Sequence, residues 1–202
     1  MPNQHANGNQ LTLLHDDKPR CKWASNDPLY IAYHDHEWGV PIFEDRLLFE
    51  FLILEGAQAG LSWITVLKKR ENYRKCFDNF DSEKMARYNQ RKIDALLANP
   101  GIIRNKLKIQ AAITNAKAYL AMQDAGINFS DYIWQFVEGK PVKNNFAGIE
   151  QVPAKNEISD KMSTDLKKRG FKFVGSTICY AFMQAVGMVN DHTKDCFLYK
   201  KK

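Results

Sequence analysis

The stretch Leu96-Leu97-Ala98-Asn99-Pro100-Gly101-Ile102-Ile103-Arg104 decides how this chain is built. It joins a short helical pattern from Asn89 to Leu97 to a long one from Ile102 to Met122, which ends near Gly126. Pro100 cannot continue the first helix, and Gly101 frees the backbone to turn. A tight turn here aims backbone N–H groups at the head of the second helix, where the helix dipole adds positive character. Those donors suit a nucleic-acid phosphate, with Arg104 and Lys106 placed to reinforce them. The same pattern also serves an ordinary αα-hairpin, so it indicates helices first and a phosphate site second.

Helical periodicity continues on both sides. Upstream, Glu44 to Gln58 carries Leu47, Leu48, Phe51, Leu52 and Leu54, and a second pattern runs from Ser62, a suitable N-cap, through Phe77. Asp81-Ser82 opens a further short helix. Downstream, Ser130 to Val137 and Ser159 to Lys168 read as helices, and Ser176 to Met188 as an apolar helix capped by Ser176 or Thr177. Pro141 to Gln151 reads as a loop, and Phe171 to Val174 is the one strand signal. The expectation is an all-α protein of roughly eight to ten helices. It would form a single domain over residues 21–197, with a flexible extension over 1–20 and a basic tail over 198–202.

The 202 residues are 45% apolar and 26% charged, which suits a folded chain and not a disordered one. A chain this long buries roughly 70% of its unfolded surface, so its core needs no staple. Phe51 to Leu54 is far too short for a membrane span, which takes about 20 apolar residues, so no membrane partner is expected. Met1 to Arg20 is polar apart from Leu11 to Leu14 and lacks the core of an export signal, which points to the cytoplasm. In that reducing compartment Cys21, Cys76, Cys179 and Cys196 are expected as metal ligands or small buried side chains, not disulfides.

Lys and Arg number 29 against 23 Asp and Glu, a net +6 that permits a polyanionic partner. The distribution says more than the total. Asn26 to Gly60 holds seven carboxylates (Asp27, Asp35, Glu37, Glu44, Asp45, Glu50 and Glu55) against Arg46. The positive charge gathers in Arg104, Lys106, Lys108 and Lys117, in Lys68, Lys69, Arg70, Arg74 and Lys75, and in Lys167, Lys168 and Arg169. Each cluster alone suits a solvated helix face; three of them near helix ends favour phosphate contacts.

Two constellations could carry chemistry. Cys21 and His34 near one end, with His192 and Cys196 four residues apart near the other, offer two thiolates and two imidazoles. That set satisfies a closed tetrahedral Zn²⁺ site, structural and not catalytic. It would clamp the N-terminal arm onto the C-terminal segment, and spacing does not choose between His34 and His36. The second is Glu55, which follows the apolar run Phe51 to Leu54, with Tyr30, Tyr33, Trp38 and Trp63 in the same region. A carboxylate among aromatic rings makes a receptacle for a planar cation. Otherwise it is a solvated Glu beside an aromatic core.

Asp27-Pro28-Leu29-Tyr30-Ile31-Ala32-Tyr33-His34-Asp35-His36-Glu37-Trp38-Gly39-Val40-Pro41 resembles the N-terminal signature of the DNA-3-methyladenine glycosylase I family. Glu55 to Phe77 and Lys167 to His192 resemble its other blocks, and the Gly101-Ile102-Ile103-Arg104 hairpin lies between them as in that family. The resemblance spans most of Cys21 to Cys196, while Val137 to Asp165 matches nothing recognisable.

The resemblance implies an all-α helix-hairpin-helix DNA glycosylase acting on double-stranded DNA with alkylated bases. The expected product is free 3-methyladenine, and the expected state is a monomer. It implies one structural zinc on Cys21, His34, His192 and Cys196, choosing His34 over His36. It implies a base pocket of Glu55, Tyr33 and Trp63, with Trp23 and Tyr30 at its edge. Phosphate contacts are expected at Gly101, Ile102, Ile103, Arg104, Lys106 and Lys168. Ile103 stands where the wider superfamily commonly has a second glycine.

3-Methyladenine is cationic while attached to DNA, so it leaves readily, and one carboxylate without a strong general acid suffices. No lysine is placed for a Schiff base, and Asp191 is not expected to be catalytic beside the zinc ligand His192. A DNA-binding module without activity and a Cys-His hydrolase on Cys179 or Cys196 are the competing classes.

Overall fold

The computed structural model describes residues 17–199; most of the extension expected over 1–20 and the end of the tail over 198–202 lie outside the described residues. Among the described residues ten α-helices carry the fold: α1 Pro28–His36, α2 Asp45–Gln58, α3 Trp63–Leu67, α4 Arg70–Cys76, α5 Ser82–Ala86, α6 Gln90–Ala98, α7 Lys106–Asp124, α8 Phe129–Trp134, α9 Glu157–Lys168 and α10 Ser176–Ala185. No helix among them is long and apolar enough to cross a membrane. The protein is mostly helical, with one small parallel pairing of β1 Val142–Lys143 and β2 Val189–Asn190.

Local chemistry sets many of these boundaries. Asp81, Asn89, Asn105 and Asn128 each accept a bond from a backbone N–H in the first turn of the helix they precede. Asn156 and Ser159 form a reciprocal capping box on α9. Helix α2 lies at the centre, in contact with α3, α7, α8 and α10. Every residue from Leu48 to Ala57 on it is buried, Glu50 and Glu55 included. A helix wrapped on all sides needs no amphipathic stripe.

Several expected boundaries shift. The long helix begins at Lys106 and not at Ile102, because Asn105 is extended and caps it, while Ile102 turns into the core. The Ser62–Phe77 pattern divides into α3 and α4 where Lys69 N–H bonds back to Val66 carbonyl, an i to i+3 closure that ends the first helix. Phe171 to Val174 is not a strand: Phe173 has φ +54, and the buried Phe171 and Val174 produce the apolar signal by packing. Strand pairing instead falls in the expected loop, where Val142 and Asn144 N–H groups bond to the carbonyls of Met188 and Asn190. Helix α10 ends at Ala185 and its N-cap is Gly175, not Ser176 or Thr177.

Candidate active site

A cavity of about 370 Å³ opens between α1, α2, α3 and α10. Tyr30 and Tyr33 lie three apart on α1, as do Glu55 and Gln58 on α2, so each helix turns one face to it. Trp63 enters from the first turn of α3, and Trp23 and Trp38 come from the segments flanking α1. Helix α10 supplies Thr177, Tyr180, Ala181 and Gln184, a single stripe at helical spacing. Ile149, Val152, Pro153 and Ala154 close the remaining side. The structure therefore brings Glu55, Tyr33, Trp63, Trp23 and Tyr30 into one cavity.

Glu55 is the chemically exposed point of that cavity. It is only 3% accessible, and its Oε2 is buried with no hydrogen-bond partner among the described residues. Each of the other six carboxylates of the acidic stretch has a partner, although Glu50 Oε2, like Glu55 Oε2, is buried without a hydrogen bond. Asp27 pairs with Lys68, Asp35 with Arg20, Glu37 with Arg70, Glu44 with Arg46 and Glu50 with Arg74. Asp45 accepts the N–H of Ser130 at 2.9 Å. Burial without a cation pushes the Glu55 carboxyl up to about 8. Burial also raises the Tyr33 and Tyr30 hydroxyls, and the nearby Glu55 raises both further.

The rings around Glu55 form a continuous wall. Tyr33 and Trp63 have centroids 5.4 Å apart, and Trp23 contacts Tyr30 at 5.0 Å and Trp38 at 4.9 Å. Trp63 Nε1 is likewise buried without a partner. The cavity thus presents one unmet acceptor and one unmet donor between aromatic faces. Unpaired buried polar groups of this kind are costly unless a guest satisfies them.

Behind the aromatic wall lies a closed cluster of Cys21, His34, His192 and Cys196, all buried, with their ligand atoms within 4.8 Å of one another. Cys196 Sγ is 3.5 Å from His34 Nε2 and 3.4 Å from His192 Nδ1, and Cys21 Sγ is 3.6 Å from His192 Nδ1. Those separations match the roughly 3.6 Å S···N edge of a tetrahedron with Zn–S and Zn–N bonds of about 2.3 and 2.0 Å. His34 Nδ1 lies 2.8 Å from Asp35 Oδ1, which fixes the tautomer that leaves Nε2 facing the cluster. The two thiols pull in opposite directions, Cys196 lowered by its hydrogen bond with Cys21 and Cys21 raised by the same contact and by burial. Two sulfurs and two imidazole nitrogens so close together are a donor set that fits zinc. His36 is exposed and outside the cluster.

The methyladenine glycosylase family model matches residues 23–199. DNA-3-methyladenine glycosylase 1 of Escherichia coli (strain K12) is 55% identical over 180 residues, 89% of this chain and 96% of that one. The DNA-3-methyladenine glycosylase of Haemophilus influenzae is 54% identical over 88% of this chain and 96% of its own. A crystal structure of 3-methyladenine DNA glycosylase I superposes with a TM-score of 0.87 at 57% identity, covering 88% of this chain and 98% of that one. The chain belongs to the methyladenine glycosylase family. A Tyr→Phe variant of a relative, solved in complex with 3-methyladenine, superposes at 0.86 with 37% identity over 91% of this chain and 98% of that one.

In this methyladenine glycosylase chain the hairpin is built more tightly than its sequence suggests. Gly101 N–H donates to Asn99 Oδ1 at 2.7 Å, and a Cβ at Gly101 would meet that oxygen at 2.9 Å and the Asn72 amide at 3.0 Å. Ile103 N–H donates to the Tyr73 hydroxyl at 3.2 Å, and Ile102 is buried. Those two N–H groups are therefore already occupied within the protein. Arg104 and Lys106 remain exposed at the head of α7, and Lys168 is exposed at the end of α9. Of the cluster after α3, Lys68, Arg70 and Arg74 turn to carboxylates, and Lys69 Nζ donates to Pro100 carbonyl at 2.7 Å.

Sequence reasoning missed most of the far wall of the cavity. The α10 stripe was legible as polar Thr177 and Gln184 recurring on an otherwise apolar helix, whereas Ile149 to Ala154 carry no periodic signal. Asp191 is buried and accepts from Tyr180 and Gln184 at 2.8 Å and from Asn144 at 2.6 Å. It ties that wall together. Cys179 is fully buried, its thiol pushed up to about 12 by burial, which leaves no nucleophile for a Cys-His hydrolase there.

Proposed function

We infer that this protein is a monofunctional DNA-3-methyladenine glycosylase, which hydrolyses the N-glycosidic bond of 3-methyladenine in DNA and leaves an abasic site. The observation that carries the site assignment is the unpaired Glu55 carboxyl in an aromatic cavity. A flipped-out 3-methyladenine nucleotide enters the cavity and stacks on Trp63 and Tyr33, with Trp23 and Tyr30 at its edge. The ionised Glu55 accepts hydrogen bonds from the base edge and stabilises its positive charge. Water adds to C1′ as the bond from C1′ to the base breaks. The bonding pair neutralises the departing base, and the water proton goes to solvent. Among the described residues no lysine lines the cavity, in keeping with hydrolysis and not a Schiff base.

In this reading residues 21–197 form one helix-hairpin-helix domain, cytoplasmic and monomeric. Arg104, Lys106 and Lys168 reach DNA phosphates, with the Gly101–Ile103 turn setting their register. Cys21, His34, His192 and Cys196 hold one structural zinc, which when bound neutralises the two thiolates and ties the chain ends together. Trp23 and Tyr33 each lie within two residues of a ligand, so the clamp also fixes two pocket walls.

Titrating the protein with free 3-methyladenine and following tryptophan fluorescence tests the pocket. Trp63→Ala is expected to weaken affinity and excision together by about 5- to 150-fold, the worth of one base–aromatic stack. Unchanged affinity would place the base elsewhere. For the phosphate contacts, Arg104→Ala or Lys106→Ala is expected to weaken binding to all duplexes alike and to reduce the salt-dependence slope by about one. Binding titrations at several salt concentrations read this directly.

A further inference from the structure

The basic stretch at the head of α7 contains one cation that faces inward. Arg104 and Lys106 are exposed, but Lys108 is half-buried, and its Nζ donates to the carbonyls of Ala57 at 2.8 Å and Ala59 at 2.6 Å. Ala57 lies in the last turn of α2 and Ala59 is its C-cap. The ammonium therefore sits at the negative end of the α2 dipole, on carbonyls near the end of the helical ladder. Burial lowers its pKa, since carbonyls and no carboxylate hold it.

Those carbonyls belong to a turn beside the cavity. Leu61 N–H closes on Gln58 carbonyl at 2.6 Å, with Ala59 at φ −42, ψ 117 and Gly60 at φ +77. This is a type II turn, whose third position demands the left-handed backbone that glycine adopts freely. Gln58 and Trp63, on either side of Gly60 and Leu61, both line the cavity. The turn is thus part of its rim.

We propose that Lys108 is a positioning residue for excision: by gripping the Ala57 and Ala59 carbonyls it holds the Gln58–Leu61 rim in register with α7. A flipped nucleotide must cross that rim while the flanking duplex stays on the protein. Rim placement therefore matters in the DNA complex and little for a free base entering the cavity. Lys108 also differs from its neighbours in not being a phosphate-binding cation.

Lys108→Met keeps the aliphatic stem and removes the donor. Single-turnover excision is expected to fall about 10- to 100-fold, as misplacements near 1 Å do. Affinity for free 3-methyladenine should stay within about twofold, and the salt slope of DNA binding should match the wild type, unlike that of Arg104→Ala. Lys108→Arg, which can still donate to both carbonyls, should recover part of the rate. A slope reduced by about one would make Lys108 a phosphate contact and overturn the proposal. Excision within about twofold of wild type, or a loss of free-base affinity equal to the loss of rate, would also overturn it. If Lys108→Met does not fold, Gly60→Ala strains the same turn with nothing within 4 Å of the added methyl. It must lower excision while sparing free-base binding, and unchanged excision would overturn the proposal.

Discussion

Glu55→Gln is expected to make the protein more stable and nearly inactive. The wild-type carboxyl is raised from 4.5 to about 8 by burial, so the folded state holds its proton more tightly than the unfolded chain. Its favourable contribution is fully present below pH 4.5 and is lost as pH rises through about 8. The loss is on the order of 4–5 kcal/mol across that window. Glutamine has no such titration. Thermal denaturation at pH 8 should show a Tm for Glu55→Gln about 8–20 °C above wild type, with the gap closing towards pH 4.5.

Activity should move the other way. Removing the charge that faces a cationic base is expected to lower excision about 100-fold. For wild type, kcat/KM on the lesion should climb with pH until Glu55 is ionised near 8 and then level off. The glutamine variant should lack that limb. A variant equally active and no more stable would remove Glu55 from the pocket chemistry.

Loss of a member of the proposed zinc cluster is expected to have the next largest effect, on folding more than on chemistry. Cys196→Ala leaves Cys21, His34 and His192 buried without their fourth partner. Stripping one member from a buried charged set commonly costs about 3–5 kcal/mol. Tm should therefore fall by about 10 °C or more, and metal content should fall from one zinc per chain to none. Molecules that remain folded should still break the glycosidic bond, because the cluster lies behind the aromatic wall and not in the cavity. Native mass spectrometry with a melting curve checks both parts. Protein purified without chelator that carries no metal, and melts like Cys196→Ala, would contradict the four-ligand zinc site.

The helices were legible where caps and periodicity coincide, as at Asn89 on α6. Helix α1 was readable in principle, since Asp27 caps it and Pro28 occupies its first position, but periodicity alone does not reveal a nine-residue helix with Tyr33 and His34 buried. The boundary at Asn105 was hidden because Ile102 and Ile103 continue an apolar pattern while leaving the helix. At the site, residue types showed Glu55 and its rings, because a carboxylate after four apolar residues is conspicuous. They did not show that each of six neighbouring acids would find a partner and Glu55 would not. That depends on Lys68, Arg20, Arg70, Arg46 and Arg74, whose partners only the fold assigns. For the same reason Lys108 looked like another phosphate-facing cation until its two carbonyls were in view.

The most direct test is to incubate the protein with methylated duplex DNA and separate the released bases by chromatography. Free 3-methyladenine should appear, the DNA should stay unbroken until alkali cleaves it at abasic sites, and Glu55→Gln should release about 100-fold less in the same time. No released base from wild type, or strands broken without alkali, would contradict a hydrolytic glycosylase built around Glu55.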